Sequence, residues 1–126
     1  MIVLAIDTAL DACSAAVLDT DAPALLASDS QAMPRGHAEA LMPLIDRVMS
    51  AAGIAYLALD RIAVTVGPGS FTGLRVGLSA ARGLGLAAGK PVVGLTTLSA
   101  FAAPLISPDI GGPIVSAIDA RHDHLY

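Results

Sequence analysis

The chain has 126 residues and a formal net charge of -4, and 55% of its residues are hydrophobic whereas only 14% are charged. This length fits a single domain that can bury a hydrophobic core without disulfides or metal ions. The seven Lys and Arg residues are scattered rather than clustered, which argues against autonomous binding of a phosphate backbone. No uninterrupted apolar run reaches the ~18 residues of a membrane span, so we expect no membrane segment.

The low charge also bears on partners and on the compartment. Typical domains carry about 25% charged residues, so a chain this apolar is expected to hide surface against another protein. The alternative is an alanine-rich domain that stays alone. Cys13 is the only cysteine, which leaves no internal disulfide and fits a reducing cytoplasm. We expect it in a strand as a small hydrophobic residue rather than as a nucleophile.

The hydrophobic pattern predicts an α/β domain. In chain order it predicts strands over residues 2–6, 13–18 and 24–30, a helix over 37–52, a strand over 61–66, a helix over 71–88, a strand over 91–95, a short helix over 96–103 and a strand over 114–118. Three strands joined by short turns indicate an antiparallel meander, and the crossovers that follow indicate a mixed five-stranded sheet with helices packed on it. We expect one domain over residues 1–106, followed by a linker and the first strand of a truncated second domain over 107–126.

Both long helices carry more apolar surface than packing on one sheet requires. The apolar positions of the first sweep about 200° of the helical wheel, whereas one sheet needs only about 100°. The only charges of the second are Arg75 and Arg82, which form one narrow polar stripe with Ser79. Gly73 and Gly77 are four residues apart and allow another backbone to approach closely. We therefore expect a subunit interface on these helices, the alternative being that they merely cover each other.

The glycine-rich loop before the second helix occupies the position of a phosphate-binding loop. It lacks the Walker A pattern, because five residues separate Gly67 from Gly73 and the next residues are Leu74 and Arg75. It also lacks the dinucleotide pattern, because Thr72 stands in place of the third glycine. We interpret the glycines mainly as turn and close-packing residues, with an anion contact as the alternative.

Few other residues are candidates for chemistry. Asp7 and Thr8 follow the first strand, where a carboxylate can meet a metal–phosphate group, so they are weak cofactor-binding candidates; the alternative is a turn that bonds its own amides. His37 stands alone, and His122 and His124 are expected to share one face of a strand, which is too few ligands for a closed metal site. We therefore predict neither catalytic residues nor a metal.

Four stretches of the chain resemble the TsaB (YeaZ) family. They are residues 4–8, 36–45, 67–77 (Gly-Pro-Gly-Ser-Phe-Thr-Gly-Leu-Arg-Val-Gly) and 118–121. The third is highly specific, and the similarity covers essentially the whole chain, although the family's proteins are longer and carry a second domain. The resemblance implies an actin-like, Hsp70-like and sugar-kinase-like fold with a ribonuclease H-like core.

The resemblance also implies a function. Proteins of this family are non-catalytic dimerisation subunits of the machinery that makes threonylcarbamoyladenosine on tRNA. It implies the related catalytic subunit TsaD as partner, the ATPase TsaE in the larger complex, a homodimer when the chain is alone, only indirect contact with tRNA, and no cofactor. In the family the first two helices form the dimer. The interface expected here comprises His37, Leu41, Leu44, Ile45, Val48, Leu74, Arg75, Gly77, Leu78, Ala81 and Arg82.

Departures from the catalytic relative favour a scaffold. TsaD carries a His-x-x-x-His metal motif at the positions that Thr97 and Phe101 occupy here, and phenylalanine cannot ligate a metal. The turn after the first strand also lacks the glycine that lets a backbone approach phosphate. We therefore predict a pseudo-enzyme, the alternative being an ATP-dependent enzyme with its own nucleotide site. Gly77→Arg and Leu78→Glu are both expected to abolish association and to leave a folded monomer, the alternative being that Leu78 faces the sheet and that its variant unfolds.

Overall fold

The computed structural model describes residues 1–107, 109 and 111–126, except for the side chain of residue 121. Its strands are β1 (Ile2–Asp7), β2 (Ala12–Asp19), β3 (Ala24–Ala32), β4 (Arg61–Thr65), β5 (Val92–Leu95), β6 (Asp119–Arg121) and β7 (His124–Leu125). Its helices are α1 (His37–Ala52), α2 (Phe71–Ala88) and α3 (Thr97–Ala102), with short 3-10 turns at Tyr56–Ala58 and Ala103–Leu105. Both long helices match the predicted bounds, and the first five strands match within two residues.

The first five strands form one mixed sheet in the order β3-β2-β1-β4-β5. The pairs β1–β2 and β2–β3 are antiparallel, as short turns require, whereas β1–β4 and β4–β5 are parallel because helices connect their strands. This order confirms the predicted meander followed by crossovers. It also places the carboxyl ends of β1 and β4 side by side, next to the start of α2.

The helices α1 and α2 cover one face of this sheet. Alternate residues of the central strands point toward them, so the branched side chains of Leu4, Ile6 and Val64 pack against Leu44 and Ile45 of α1. Helix α1 lies over β2 and β3, and α2 lies over β4, β1 and β5. The predicted helix stop is confirmed at the residue after α1, where Gly53 adopts a left-handed conformation with φ 67°.

The opposite face of the sheet carries small side chains. The antiparallel pairs Ala5–Ala16 and Asp7–Ser14 lie on it, and Thr65 of β4 lies beside them. A groove of about 450 Å³ runs over these residues and is bordered by α3. Because this face offers little apolar volume, the core of the domain lies between the sheet and the two long helices.

The last part of the chain differs from the prediction. Residues 114–118, predicted as a strand, are irregular, and Val115 is 85% exposed. A β-branched run forms a strand only where a neighbour pairs with it, and among the described residues the backbone of Ile118 bonds that of Tyr126 alone. The hairpin β6–β7 follows as a separate two-stranded sheet. His122 lies in its turn with φ 54° and His124 in β7, so the two do not share a strand face as expected.

Among the residues that the structure describes, no helix has both the length and the apolar character needed to cross a membrane.

Candidate functional site

The glycine-rich loop places the start of α2 in contact with the end of β1. Ser70 is the N-cap of α2, and its hydroxyl oxygen accepts a hydrogen bond from the Gly73 amide at 3.3 Å. The Ser70 amide donates to the carbonyl of Ala9 at 2.6 Å, and the Leu74 amide donates to the Ser70 carbonyl at 2.9 Å. Two of the backbone donors at this helix start, the amides of Ser70 and Gly73, are therefore used by the protein itself.

Three glycines of the motif explain this close packing. A Cβ on Gly69 would overlap the carbonyl of Ala9, and a Cβ on Gly73 would overlap the carbonyl of Thr8. A Cβ on Gly77 would overlap the hydroxyl of Thr8. The glycine stripe therefore faces the domain's own first strand, as the close-packing interpretation predicted, but its neighbour is not another subunit.

Asp7 and Thr8 are both engaged in bonds within the domain. Asp7 Oδ1 accepts from the Ala9 amide at 2.9 Å and from the Thr65 hydroxyl at 2.7 Å, which ties the ends of β1 and β4 together. The buried Thr8 hydroxyl donates to the Gly73 carbonyl at 2.6 Å. These are the bonds of turn and packing residues, and they join β1, β4 and α2 at one point.

Thr97 and Phe101, which the resemblance matched to the metal-binding motif of TsaD, lie in α3. Thr97 is its first residue and is fully buried, with a side-chain hydroxyl that has no hydrogen-bond partner among the described residues. Phe101 lies one turn further and is half exposed. Within the described part of the chain, no group of three or more His, Cys, Asp or Glu side chains is placed to hold a metal ion.

Two further side chains serve the fold. The ring Nε2 of His37 lies 2.9 Å from the carbonyl of Leu10, so the start of α1 is bonded to the turn between β1 and β2. Cys13 lies in β2 and is fully buried, as predicted, and burial raises the pKa of its thiol. The thiolate is therefore disfavoured at neutral pH, which fits a packing role rather than a reactive one.

Most of the residues expected at a partner interface lie in the domain's own core. These are His37, Leu41, Leu44, Ile45, Val48, Gly77 and Ala81. Most of the apolar surface of the helices is buried against the sheet and between α1 and α2, so a docked partner would not reach these side chains. The expectation for Gly77→Arg is corrected accordingly, because a side chain there collides with Thr8 and would disrupt the fold.

We call the exposed side of α2 the α2 outer face. It comprises Phe71, Arg75, Leu78, Ser79, Arg82 and Leu86, of which Arg75, Leu78 and Arg82 belong to the expected interface. Phe71 is 70% exposed, Leu78 36% and Leu86 87%, and the Arg75 guanidinium stacks 4.2 Å from the centre of the Phe71 ring. Leu74 is half buried at its margin. This concentration of large exposed apolar side chains on one helix is typical of a protein-binding surface.

Sequence reasoning missed Phe71 and Leu86. Both lie three or four residues from the arginine stripe, at spacings that place them on the same side of the helix as Arg75, Leu78 and Arg82. Extending the stripe in both directions would have found them.

A groove between α1 and α2 adjoins the α2 outer face. It has a volume of about 440 Å³ and is lined from α1 by Ala38 and Met42 and from α2 by Val76, Ser79 and Ala80. Small side chains at its floor leave room for apolar side chains of a docked helix. The arrangement therefore suits helix-to-helix binding more than it suits a small reactant, for which few polar groups converge.

Comparison with known proteins gives a consistent result. The family model of TsaD, tRNA N6-adenosine threonylcarbamoyltransferase, matches residues 29–126. The tRNA threonylcarbamoyladenosine biosynthesis protein TsaB of Escherichia coli is 33% identical over 126 residues, which are 100% of this chain and 53% of that protein. The tRNA N6-adenosine threonylcarbamoyltransferase of Erythrobacter litoralis is 39% identical over 115 residues, which are 80% of this chain and 33% of that protein.

The solved structure of YeaZ from Pseudomonas aeruginosa matches with a TM-score of 0.86 and 35% identity, over 98% of this chain and 57% of that one. The chain thus spans about half the length of the TsaB and YeaZ proteins that it matches. The mixed sheet with its helices fits the actin-like fold with a ribonuclease H-like core that the sequence predicted. The match to the TsaD family model fits the related TsaB (YeaZ) family, and by sequence identity and fold together the chain belongs to that family.

Proposed function

We propose that this chain acts in tRNA N6-threonylcarbamoyladenosine biosynthesis as a non-catalytic subunit that binds TsaD through the α2 outer face. The observation that carries the proposal is the exposure of Phe71, Leu78 and Leu86 beside the α1–α2 groove. Complete burial of a Phe or Leu side chain contributes roughly 1.5–3 kcal/mol, so docking of this face supplies a substantial driving force. In the absence of TsaD the same face self-associates, and TsaE joins in the larger complex.

The non-catalytic role is supported by the strand-end region. The Ser70 amide is bonded to the Ala9 carbonyl and the Gly73 amide to the Ser70 hydroxyl, so neither of these two amides is free for a nucleotide phosphate. Phe101 stands where the catalytic relative has a metal-binding histidine, and phenylalanine offers no ligand atom. The alternative, an ATP-dependent enzyme with its own nucleotide site, requires ATP binding at micromolar affinity by the isolated chain, which calorimetry measures.

Binding to TsaD is tested with one variant and one matched control. Leu78→Glu puts a charge into the α2 outer face at a position that is already partly exposed, so the domain stays folded and binding is lost. Leu25→Glu makes the same chemical change on β3, at the opposite edge of the sheet from β5, and leaves binding intact. Pull-down with TsaD and circular dichroism give the two readouts.

Function is tested by reconstitution of the modification with TsaD, TsaE, a source of threonylcarbamoyl-adenylate and tRNA. We expect modified tRNA only when the chain is present, and loss of modification with Leu78→Glu. Equal modification without the chain, or equal binding of TsaD by the Leu78→Glu and wild-type chains, contradicts the proposal. Metal-dependent transfer by the chain alone contradicts its non-catalytic part.

A further inference from the structure

The α2 outer face carries positive charge without compensating negative charge. Arg75 and Arg82 are both exposed, and neither forms a salt bridge among the described residues. Arg75 instead stacks on Phe71, and α2 contains no acidic residue. These two cations lie among the exposed apolar side chains of Phe71, Leu78 and Leu86, in a chain whose net charge is -4.

Docking of the face removes water from these guanidinium groups. A charge that loses its hydration without gaining a counter-charge weakens a complex, whereas a hydrogen-bonded carboxylate converts the same charge into a specific contact. The occupant of the face must therefore bring carboxylates, and arginine's planar donors suit two-point binding of that group.

A second copy of the chain meets this requirement poorly. Its two long helices carry two carboxylates, Glu39 and Asp46, and Asp46 already accepts a hydrogen bond from the Tyr56 hydroxyl at 2.6 Å. Among the described residues, Glu39 is thus the one carboxylate of these helices that is free of an internal hydrogen bond, and Asp46 has its second oxygen left. Self-association through this face therefore offers the two arginines of each copy fewer free carboxylate oxygens than a partner with two unbonded carboxylates does.

We propose that the α2 outer face selects a partner protein whose docking helices present at least two carboxylates to Arg75 and Arg82, so that binding to this partner prevails over self-association. The selection rests on the proposed function, in which the partner is TsaD. In this proposal Phe71, Leu78 and Leu86 provide affinity for any apolar helix. The two arginines discriminate between helices by requiring carboxylates on the partner, and we call this requirement the charge rule.

The test reverses the charge of each arginine and compares it with a control variant that changes the net charge by the same amount. Arg75→Glu and Arg82→Glu are each expected to weaken TsaD binding by about tenfold or more, and Arg75→Gln and Arg82→Gln to weaken it less, in the same direction. Arg61→Glu, at the exposed start of β4, makes the same net-charge change and is expected to leave binding unchanged. Titration calorimetry measures the affinity and circular dichroism confirms that each variant is folded.

Ionic strength provides an independent readout. Because the Debye length falls from about 10 Å at 0.1 M salt to about 3 Å at 1 M, added salt is expected to weaken the complex with TsaD and to strengthen self-association of the chain measured by sedimentation.

The outcomes separate the inference from the proposed function. If wild-type chain binds TsaD but both reversals and added salt leave the affinity unchanged, the charge rule is overturned and the proposed function stands. If wild-type chain does not bind TsaD, both fail. If Arg75→Glu abolishes self-association and Glu39→Arg restores it, a second copy is the occupant that the arginines select, and the charge rule for TsaD is overturned.

Discussion

Gly77→Ala tests whether the glycine stripe of α2 serves the fold of this domain. The added methyl group would overlap the Thr8 hydroxyl, which is itself bonded to the Gly73 carbonyl at 2.6 Å. The next atom it would meet is Val64 Cγ2 at 3.5 Å, an ordinary contact. The substitution therefore forces one buried hydroxyl to move and to break its hydrogen bond, while most of the surroundings stay in place.

The expected change in the free energy of unfolding is the sum of two costs and one gain. Overpacking of a core site costs about 1–3 kcal/mol, and loss of the Thr8 hydrogen bond costs about 0.5–1.5 kcal/mol. Replacement of a helical glycine by alanine returns about 1 kcal/mol. We expect a net loss of about 0.5–3.5 kcal/mol in the free energy of unfolding of Gly77→Ala.

Two further variants make the prediction specific. Gly83→Ala makes the same change in the same helix, but nothing lies within 4 Å of the added Cβ, so it is expected to gain about 0.5–1 kcal/mol. Thr8→Ala removes the hydroxyl with which the Gly77 methyl group collides and leaves the Thr8 Cβ at 3.6 Å from that methyl position. The double variant is therefore expected to be more stable than the sum of its single changes by about 1–2 kcal/mol.

Urea unfolding followed by far-ultraviolet circular dichroism is the appropriate assay, because the chain has no Trp and only 2 Tyr. If Gly77→Ala and Gly83→Ala shift the midpoint equally, the glycine has no packing role. If the effects of Gly77→Ala and Thr8→Ala simply add, the collision lies with another group. Either result refutes the assignment of the glycine stripe to the contact with β1.

Three smaller predictions use the same unfolding assay. Gly53→Ala places a side chain at φ 67° with nothing within 4 Å of its Cβ, so backbone strain alone is expected to cost about 1–2 kcal/mol, against the gain expected for Gly83→Ala. Asp29→Asn breaks the 2.7 Å ion pair with Arg47 between half-exposed side chains and is expected to cost less than about 1 kcal/mol. Burial raises the pKa of the Cys13 thiol above its ordinary 9.0, so its contribution to stability is fully present below pH 9.0 and is lost as the pH rises toward the higher folded value. Alkylation of Cys13 at neutral pH is therefore expected only in urea, and rapid alkylation of the folded chain would contradict its burial.

The fold could be predicted because its signals are local. The bounds of α1 and α2 follow from apolar periodicity and from the glycines that end each helix, and both match the structure. The five strands follow from short β-branched runs and turn residues. The predicted strand at 114–118 is wrong because a strand also requires a pairing partner, which its own residues do not encode.

The site was predicted less well because its decisive contacts are not local. Periodicity shows that Gly73, Gly77 and Ala81 share one side of α2, but not whether that side meets a sheet or a partner. The contact that decides it joins Thr8 to Gly73 across 65 positions of sequence. The polar stripe of Arg75 and Arg82 was placed correctly, because a charged side chain nearly always lies at the surface.

The two sides of α2 give the glycine-rich motif a physical meaning that differs from that of a phosphate loop. Its glycines allow the helix to lie on the end of β1, where the Ala9 carbonyl accepts a hydrogen bond from the Ser70 amide at the start of the helix. Its arginine, Arg75, projects from the opposite side toward solvent. Substitutions at the glycines should therefore change stability before they change binding, and substitutions at Arg75 should change binding without changing stability. In a motif that positioned a reactant, the same groups would stabilise the fold and bind the ligand. A substitution there would therefore change stability and binding together.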